Sequence, residues 1–266
     1  MALRSFSPMP QLLPPPLHQR RGIPFYHAKS EAEFSRDPYE RYDQMVRRQT
    51  VLHFSQALGD AYPFRELWNW WRAELLKSPG GAVAEIGCGL ARLLGEGAAQ
   101  QPKRQFYGLD YSYQMLKWAK AYWVDGQTMA VGWPERGFPL QQLAGQRRGN
   151  LHLALAKAEA LPFPEASLDL VYSSFLLDRV GDPGRALFEM QRVLRPGGVL
   201  LLASPLNFQQ AQHWTDWARE GAITGQLRAW GMKEVHSYPT LALYEPLDPA
   251  GNQIQWICRR FRAVKG

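Results

Sequence analysis

From Ala82 onward the chain alternates short apolar runs with segments of helical period, and that alternation leaves few folds open. "AVAEIG", "QFYGLD", "LHLALA", "LDLVYSSF" and "GVLLLASP" read as buried strands, while "LARLLGEGAAQ", "SYQMLKWAKAYW" and "DPGRALFEMQRVL" read as helices. Strands that are apolar throughout, with helices between them, predict an α/β doubly wound sheet covered on both faces. In such a sheet a ligand sits at the C-terminal ends of the strands, where strand order reverses.

The flanks divide the chain further. Residues 1–30 hold a Pro-rich, acid-free stretch, expected to be a disordered basic tail of which residues 1 to about 22 are removable without loss of stability. Residues 31–266 are expected to form a single domain, with N-terminal helices over 31–78 and the alternating core over 79–266. Asp37 and Pro38 make an N-cap and N1 pair for a helix running toward Gly59. A second helix from Pro63 places Leu67, Trp68, Trp71 and Leu75 on one face, a core pattern. Residues 124–150, rich in Gly and Pro, are an insertion too long for a simple connection, and read as a functional or disordered loop.

Charge and composition exclude several classes. The net charge is +7, but the first thirty residues and the last ten hold four cations each and no acid, so the body is close to neutral. That argues against a dedicated nucleic-acid groove. No apolar run reaches the roughly 18–20 residues of a membrane span. Two cysteines, Cys88 and Cys258, form neither a disulfide framework nor a metal set and fit a reducing compartment. A cytoplasmic location follows, with the acid-free N-terminus leaving organellar targeting open.

The connection after the first core strand carries the chemistry. Gly87 and Gly89 let the backbone approach a ligand where the strand turns into a helix with free N–H groups. Glu85 stands at the strand's end. An acid there repels a pyrophosphate but can hold an ammonium, which disfavours a nicotinamide dinucleotide and favours a cofactor with a cationic amino-acid end. Asp110 ends the next strand in "FYGLDYS", where a carboxylate can accept ribose hydroxyls.

With these residues in view the chain resembles the class I S-adenosylmethionine-dependent methyltransferases, of the group that includes small-molecule and quinone methyltransferases. "VAEIGCGLARLL", "GLDYSYQMLKWAK" and "AKAEALPFPEASLDLVYSSFLLDRVGDPGRALFEMQRVLRPGGVLLLASP" carry the resemblance over roughly residues 83–205. It implies a Rossmann-like, seven-stranded, mostly parallel sheet with an antiparallel last strand, S-adenosylmethionine as cofactor and a small-molecule methyl acceptor. Residue by residue, Glu85, Gly87, Cys88 and Gly89 would line the methionine and ribose part. Asp110 would bind the ribose, with Tyr111 and Met115 near the adenine. Ala158 would offer its N–H to the ring, with Glu159 beside it, and Ser173, Ser174 and Phe175 would close the pocket. No metal is implied. Lys157 stands where the family usually has an acid for the adenine amine, and Leu177-Asp178-Arg179-Val180 departs from an L-H-H-V pattern.

Methyl transfer from a sulfonium is chiefly a matter of positioning and desolvation. Where the acceptor must lose a proton, the candidate bases are Asp178, His213, Tyr42 and His53, each with a structural alternative. No N-P-P-Y or Pro-Cys element is present, which argues against adenine or cytosine methylation in DNA. The aromatic-rich segments at 31–78, 124–150 and "NFQQAQHWTDWAREG" suit an apolar or aromatic acceptor. Lys157 keeps open a different class, a methyltransferase-like domain that binds without turnover.

Overall fold

The computed structural model describes residues 12–41, 43–55, 62–77 and 80–266, with backbone only at 39 and 41. In chain order these residues form β1 (His18–Arg20), β2 (Ile23–Phe25), α1 (Glu31–Arg36), α2 (Pro38–Arg41), α3 (Asp43–Phe54), α4 (Arg65–Lys77), β3 (Ala82–Ile86), α5 (Arg92–Gln100), β4 (Gln105–Asp110) and α6 (Tyr113–Trp123). There follow β5 (Met129–Trp133), β6 (Phe138–Leu143), β7 (Leu151–Leu155), β8 (Leu168–Ser174), α7 (Pro183–Val193), β9 (Leu194–Ser204), α8 (Ala211–His213), α9 (Ala222–Ala229), β10 (Met232–Pro246) and β11 (Gln253–Lys265).

The main sheet runs β1-β2-β7-β4-β3-β8-β9-β11-β10. Strands β7, β4, β3, β8 and β9 are parallel neighbours. The last strand, β11, is antiparallel to both β9 and β10. The chain first winds outward through β3, β4 and β7, then returns to β8 and β9 on the other side. Strand order therefore reverses between β3 and β8, and their C-terminal ends define the ligand-binding rim. Helices α4, α5 and α6 bury Trp71, Leu94 and Leu116 on one face. Helices α7 and α9 bury Leu187 and Leu227 on the other.

Local chemistry explains the elements. Ser112 caps α6 through the Met115 N–H, and Asp182 caps α7 with Pro183 in the first turn. Gly95 lies mid-helix because a Cβ there would sit 2.3 Å from the Trp123 indole. The "LPFP" and "RVL" elements are bonded to each other: Arg192 donates to the carbonyls of Phe163 and Leu161 at 2.9 and 3.0 Å, and Glu189 accepts the Leu161 N–H at 2.9 Å. Their joint occurrence in the sequence thus reflects one buried tie.

Several expectations are corrected. Residues 12–30 are not a disordered tail. β1 and β2 form an antiparallel hairpin, β2 joins the sheet edge through Phe25 opposite Leu155, and Tyr26 donates its N–H to the Leu155 carbonyl at 2.8 Å. The sheet accordingly has nine strands among the described residues rather than seven. Leu13 is 8% exposed, packed in the core. Residues 1–11 lie outside the described residues. The 124–150 insertion is an ordered antiparallel ribbon, β5–β6, with Val131 and Phe138 buried and β5 beside α3. The helix expected from Asp37 instead has Asp37 as the C-cap of α1, with α2 and α3 following.

Removing residues 1–22 deletes β1 and the buried Leu13. It should cost roughly 2–3 kcal/mol and lower the melting temperature by about 4–10 °C. An unchanged melting curve would show that the hairpin contributes nothing.

Candidate functional site

Beyond β3 the backbone turns through Gly87 and Gly89, at φ +76° and +52°. The N–H groups of Gly87 and Cys88 both donate to the Leu109 carbonyl, at 2.8 and 3.0 Å. Gly89 donates to Asp110 Oδ2 at 2.7 Å, while Ser112 donates to Asp110 Oδ1 at 2.8 Å. One carboxylate therefore fixes the loops after both β3 and β4. A Cβ built on Gly89 meets nothing within 4 Å, so the loop faces open space. Cys88 turns the other way, its sulfur against Gly108. Burial, with Asp110 and Glu85 nearby, pushes the Cys88 thiol well above its ordinary range, leaving it a filler rather than a nucleophile.

Glu85 is 4% exposed, and its Oε2 has no hydrogen-bond partner. Burial, and secondarily the Asp110 charge, raises its pKa well above the carboxylate range. Burial raises Asp110 as well, against the pull of its two N–H donors. A buried acid with an open oxygen, next to a second acid and a loop with free space, fits a ligand that brings an ammonium. A carboxylate offers about four lone-pair positions, so Asp110 can bond its two N–H donors and still accept ribose hydroxyls. These residues fit S-adenosylmethionine.

At the base end, Tyr111 faces the N-terminal segment. Lys29 Nζ lies 4.1 Å from its ring centroid. Lys157 is not a bare replacement for an acid: it pairs with Glu33 of α1. Met115 and Ala158 are buried. Glu159 Oε1 accepts from Gly181 N–H at 3.0 Å, before α7, and its charge acts on Tyr111.

The end of β8 forms the remaining wall. Ser173 donates its hydroxyl to the Ile86 carbonyl at 2.8 Å, a tie to β3. Ser174 ends the strand, and Phe175 adopts φ +54°, its ring 5.1 Å from Phe64 and 5.9 Å from Trp256. Trp256 donates to buried Glu245 at 2.9 Å, which Arg48 of α3 bonds at 2.7 Å. Phe64, Trp256, Arg48 and Glu245 were missed in the sequence. Only the buried Glu in "LALYEP" offered a signal, and its partners are far away in the chain.

The candidate bases fare unequally. Asp178 does not face water: it is buried and accepts from Ser204 Oγ at 3.0 Å. His53 shares a 3.1 Å hydrogen bond with the Tyr62 hydroxyl, and burial, then the Arg92 charge, lowers its pKa to about 3. His213 rests its ring on Phe208, in a segment whose Trp217 packs toward Gly184 of α7. Tyr42 lies outside the described residues. No cluster of metal ligands occurs among the described residues, and none of their helices is long and apolar enough to cross a membrane.

Residues 84–202 match the methyltransferase domain family. The chain is 57% identical over 53 residues to the ubiquinone/menaquinone biosynthesis C-methyltransferase of Hahella chejuensis, covering 20% of this chain and 21% of the relative. It is 33% identical over 133 residues to the malonyl-[acyl-carrier protein] O-methyltransferase of Methylovorus, covering 50% and 40%. The chain thus spans less than half the length of these relatives. A solved S-adenosylmethionine-dependent methyltransferase of Thermotoga maritima shares the fold at TM-score 0.50 and 18% identity, covering 86% of this chain and 98% of that one.

Asp110→Ala would leave the Gly89 and Ser112 N–H groups without their charged acceptor. Urea unfolding of the ligand-free protein should show a loss of about 2–4 kcal/mol. Unchanged stability would mean that the two loops are held by other contacts.

Proposed function

The chain resembles the class I S-adenosylmethionine-dependent methyltransferases in sequence motifs and fold, and we propose that it transfers a methyl group from S-adenosylmethionine to an O, N or C centre of a small apolar or aromatic molecule. The observation that carries the reading is the unpartnered Glu85 oxygen, buried near the end of β3 just before the Gly87–Gly89 turn. Names of the curated relatives, a quinone C-methyltransferase and a malonyl-carrier O-methyltransferase, support a small acceptor.

The cofactor would supply an electrophilic methyl on a sulfonium. Glu85 would hold its ammonium, Asp110 its ribose and the Gly87–Gly89 backbone its close approach. Phe175, Phe64 and Trp256 would give the acceptor end an apolar wall that excludes water, which favours a reaction in which charge is lost. His53, neutral with its pKa near 3, is a poor proton acceptor at neutral pH. This favours an acceptor atom that is nucleophilic without a protein base, such as an enolate carbon, a phenolate or an amine.

Titration with S-adenosylhomocysteine and with NADH, followed by transfer of labelled methyl to a panel of such acceptors, tests the reading. Binding of the first nucleoside only, with label reaching an acceptor, supports it. Binding of NADH alone contradicts it.

The raised pKa of Glu85 adds a linked prediction. In the ligand-free protein the carboxyl stays protonated to higher pH than in water, whereas a bound ammonium favours the ionised form. Binding should therefore release a proton, and affinity should rise as pH rises through the ligand-free value. Calorimetry in two buffers of different ionisation enthalpy should show that release, and Glu85→Gln should abolish it. Proton uptake, or a release unchanged in the variant, would refute the assignment.

A further inference from the structure

Glu85 of β3 and Tyr172 of β8 are direct neighbours in the parallel pairing of the two strands. Adjacent strands lie about 4.8 Å apart, and paired residues send their side chains to the same face. Here that face is the one covered by α4 and α5, where Val83 and Leu170, the pair two residues back, are packed with Tyr172. The phenol and the carboxyl therefore stand side by side. Each carries a polar atom that is buried and has no hydrogen-bond partner, the Tyr172 hydroxyl and Glu85 Oε2. Ser174, two residues along the same strand, is near enough to act on the hydroxyl but is not in bonding geometry. An unpaired buried hydroxyl carries a cost that a Phe of the same shape would avoid.

The two groups differ in freedom. The Tyr172 ring is fully buried, its centroid 6.4 Å from that of Trp71, so its hydroxyl is held in place. The terminal torsion of a glutamate is broad, so the Glu85 carboxyl can turn. They differ in charge as well. Burial, then Glu85, pushes the phenol above its ordinary range, so it keeps its proton and remains a donor. The other titratable groups that act on the pair are Asp110 from β4, Cys88 from the glycine loop, Tyr62 ahead of α4 and Cys258 from β11, with Arg92 and Glu96 acting on Tyr62. Burial raises both thiols and the Tyr62 phenol and leaves them neutral.

We propose that Tyr172 is a positioning residue for Glu85. When a ligand's ammonium favours the ionised carboxyl, the Glu85 proton leaves to solvent and the fixed Tyr172 hydroxyl donates to the carboxylate, holding its other oxygen against the ammonium. In the ligand-free protein the hydroxyl makes no such bond, so its contribution arises only when the site is loaded. The identity of the ligand rests on the functional reading above.

The test uses the full chain with two probes, S-adenosylhomocysteine and the same nucleoside without its amino-acid end, 5′-methylthioadenosine. Tyr172→Phe keeps the ring and removes the hydroxyl. Its urea midpoint without ligand should match or exceed that of the unmodified protein, because no bond is lost. Its affinity for S-adenosylhomocysteine should fall about tenfold, roughly 1.4 kcal/mol, while 5′-methylthioadenosine binds within about twofold of its former strength. The loss should be full at the alkaline end of a pH series and vanish at the acid end, where Glu85 keeps its proton with or without ligand. Added to Glu85→Gln, Tyr172→Phe should change affinity by no more than about twofold further, since its effect runs through the carboxylate. S-adenosylhomocysteine binding indifferent to Tyr172→Phe, an equal loss for both nucleosides, a loss independent of pH, or losses that add in the double variant would overturn the proposal. A lower urea midpoint, or failure of the variant to fold, would do the same by showing that the hydroxyl is already bonded. No binding of S-adenosylhomocysteine by the unmodified protein would overturn the functional reading and the proposal with it, whereas binding that survives Tyr172→Phe overturns the proposal alone.

Discussion

Two backbone N–H groups from different loops, those of Gly89 and Ser112, end on the single carboxylate of Asp110. The rest of the site depends on this tie. It joins the turn after β3 to the start of α6, and so fixes the distance between the glycine loop and Tyr111. Without it each loop would need its own acceptor, since orphaned N–H groups at this depth cost on the order of 1–3 kcal/mol each. A carboxylate suits the place because it can accept two N–H donors and still have lone pairs facing the cleft.

The electrostatics follow from placing Glu85 beside that tie. Burial raises the pKa of both acids, and the Asp110 charge raises that of Glu85 further, a cost that a ligand bearing positive charge would relieve. The surroundings of Tyr111 are arranged differently: Lys29 and Lys157 lie over its ring, Lys29 neutralised by Asp37 and Glu40 and Lys157 by Glu33. Beyond β8 the wall is apolar, with Phe64, Phe175 and Trp256 in contact. A pair of buried acids, a cluster of ion pairs and an apolar wall are thus supplied by different elements.

Much of this was legible in the sequence because the central strands carry their own signal. β3, β4, β7 and β8 are apolar runs bounded by turns, and Glu85 and Asp110 sit at their ends where a ligand must lie. The edge hairpin was not legible: β1 and β2 have three residues each, too short for a period to show, and proline-rich composition around them reads as a tail. Leu13 is buried only because the sheet lies beneath it. Lys157 read as a lost acceptor because Glu33, its partner, is remote in the chain. Asp178 and Ser204, and Arg48 and Glu245, are likewise pairings that only the folded chain brings together. The "LPFP" and "RVLRPGG" elements were recognised as a signature before their physical reason, the Arg192 and Glu189 ties, could be seen.

The central claim is that Glu85 is a buried acid waiting for a ligand's ammonium. The most direct measurement compares the affinity of S-adenosylhomocysteine with that of 5′-methylthioadenosine, which lacks the amino-acid end, in the unmodified protein and in Glu85→Gln. The account predicts a preference for S-adenosylhomocysteine of at least about tenfold, roughly 1.4 kcal/mol, that shrinks to within about twofold in the variant. Equal binding of the two nucleosides by the unmodified protein, or a preference that survives in Glu85→Gln, would contradict it.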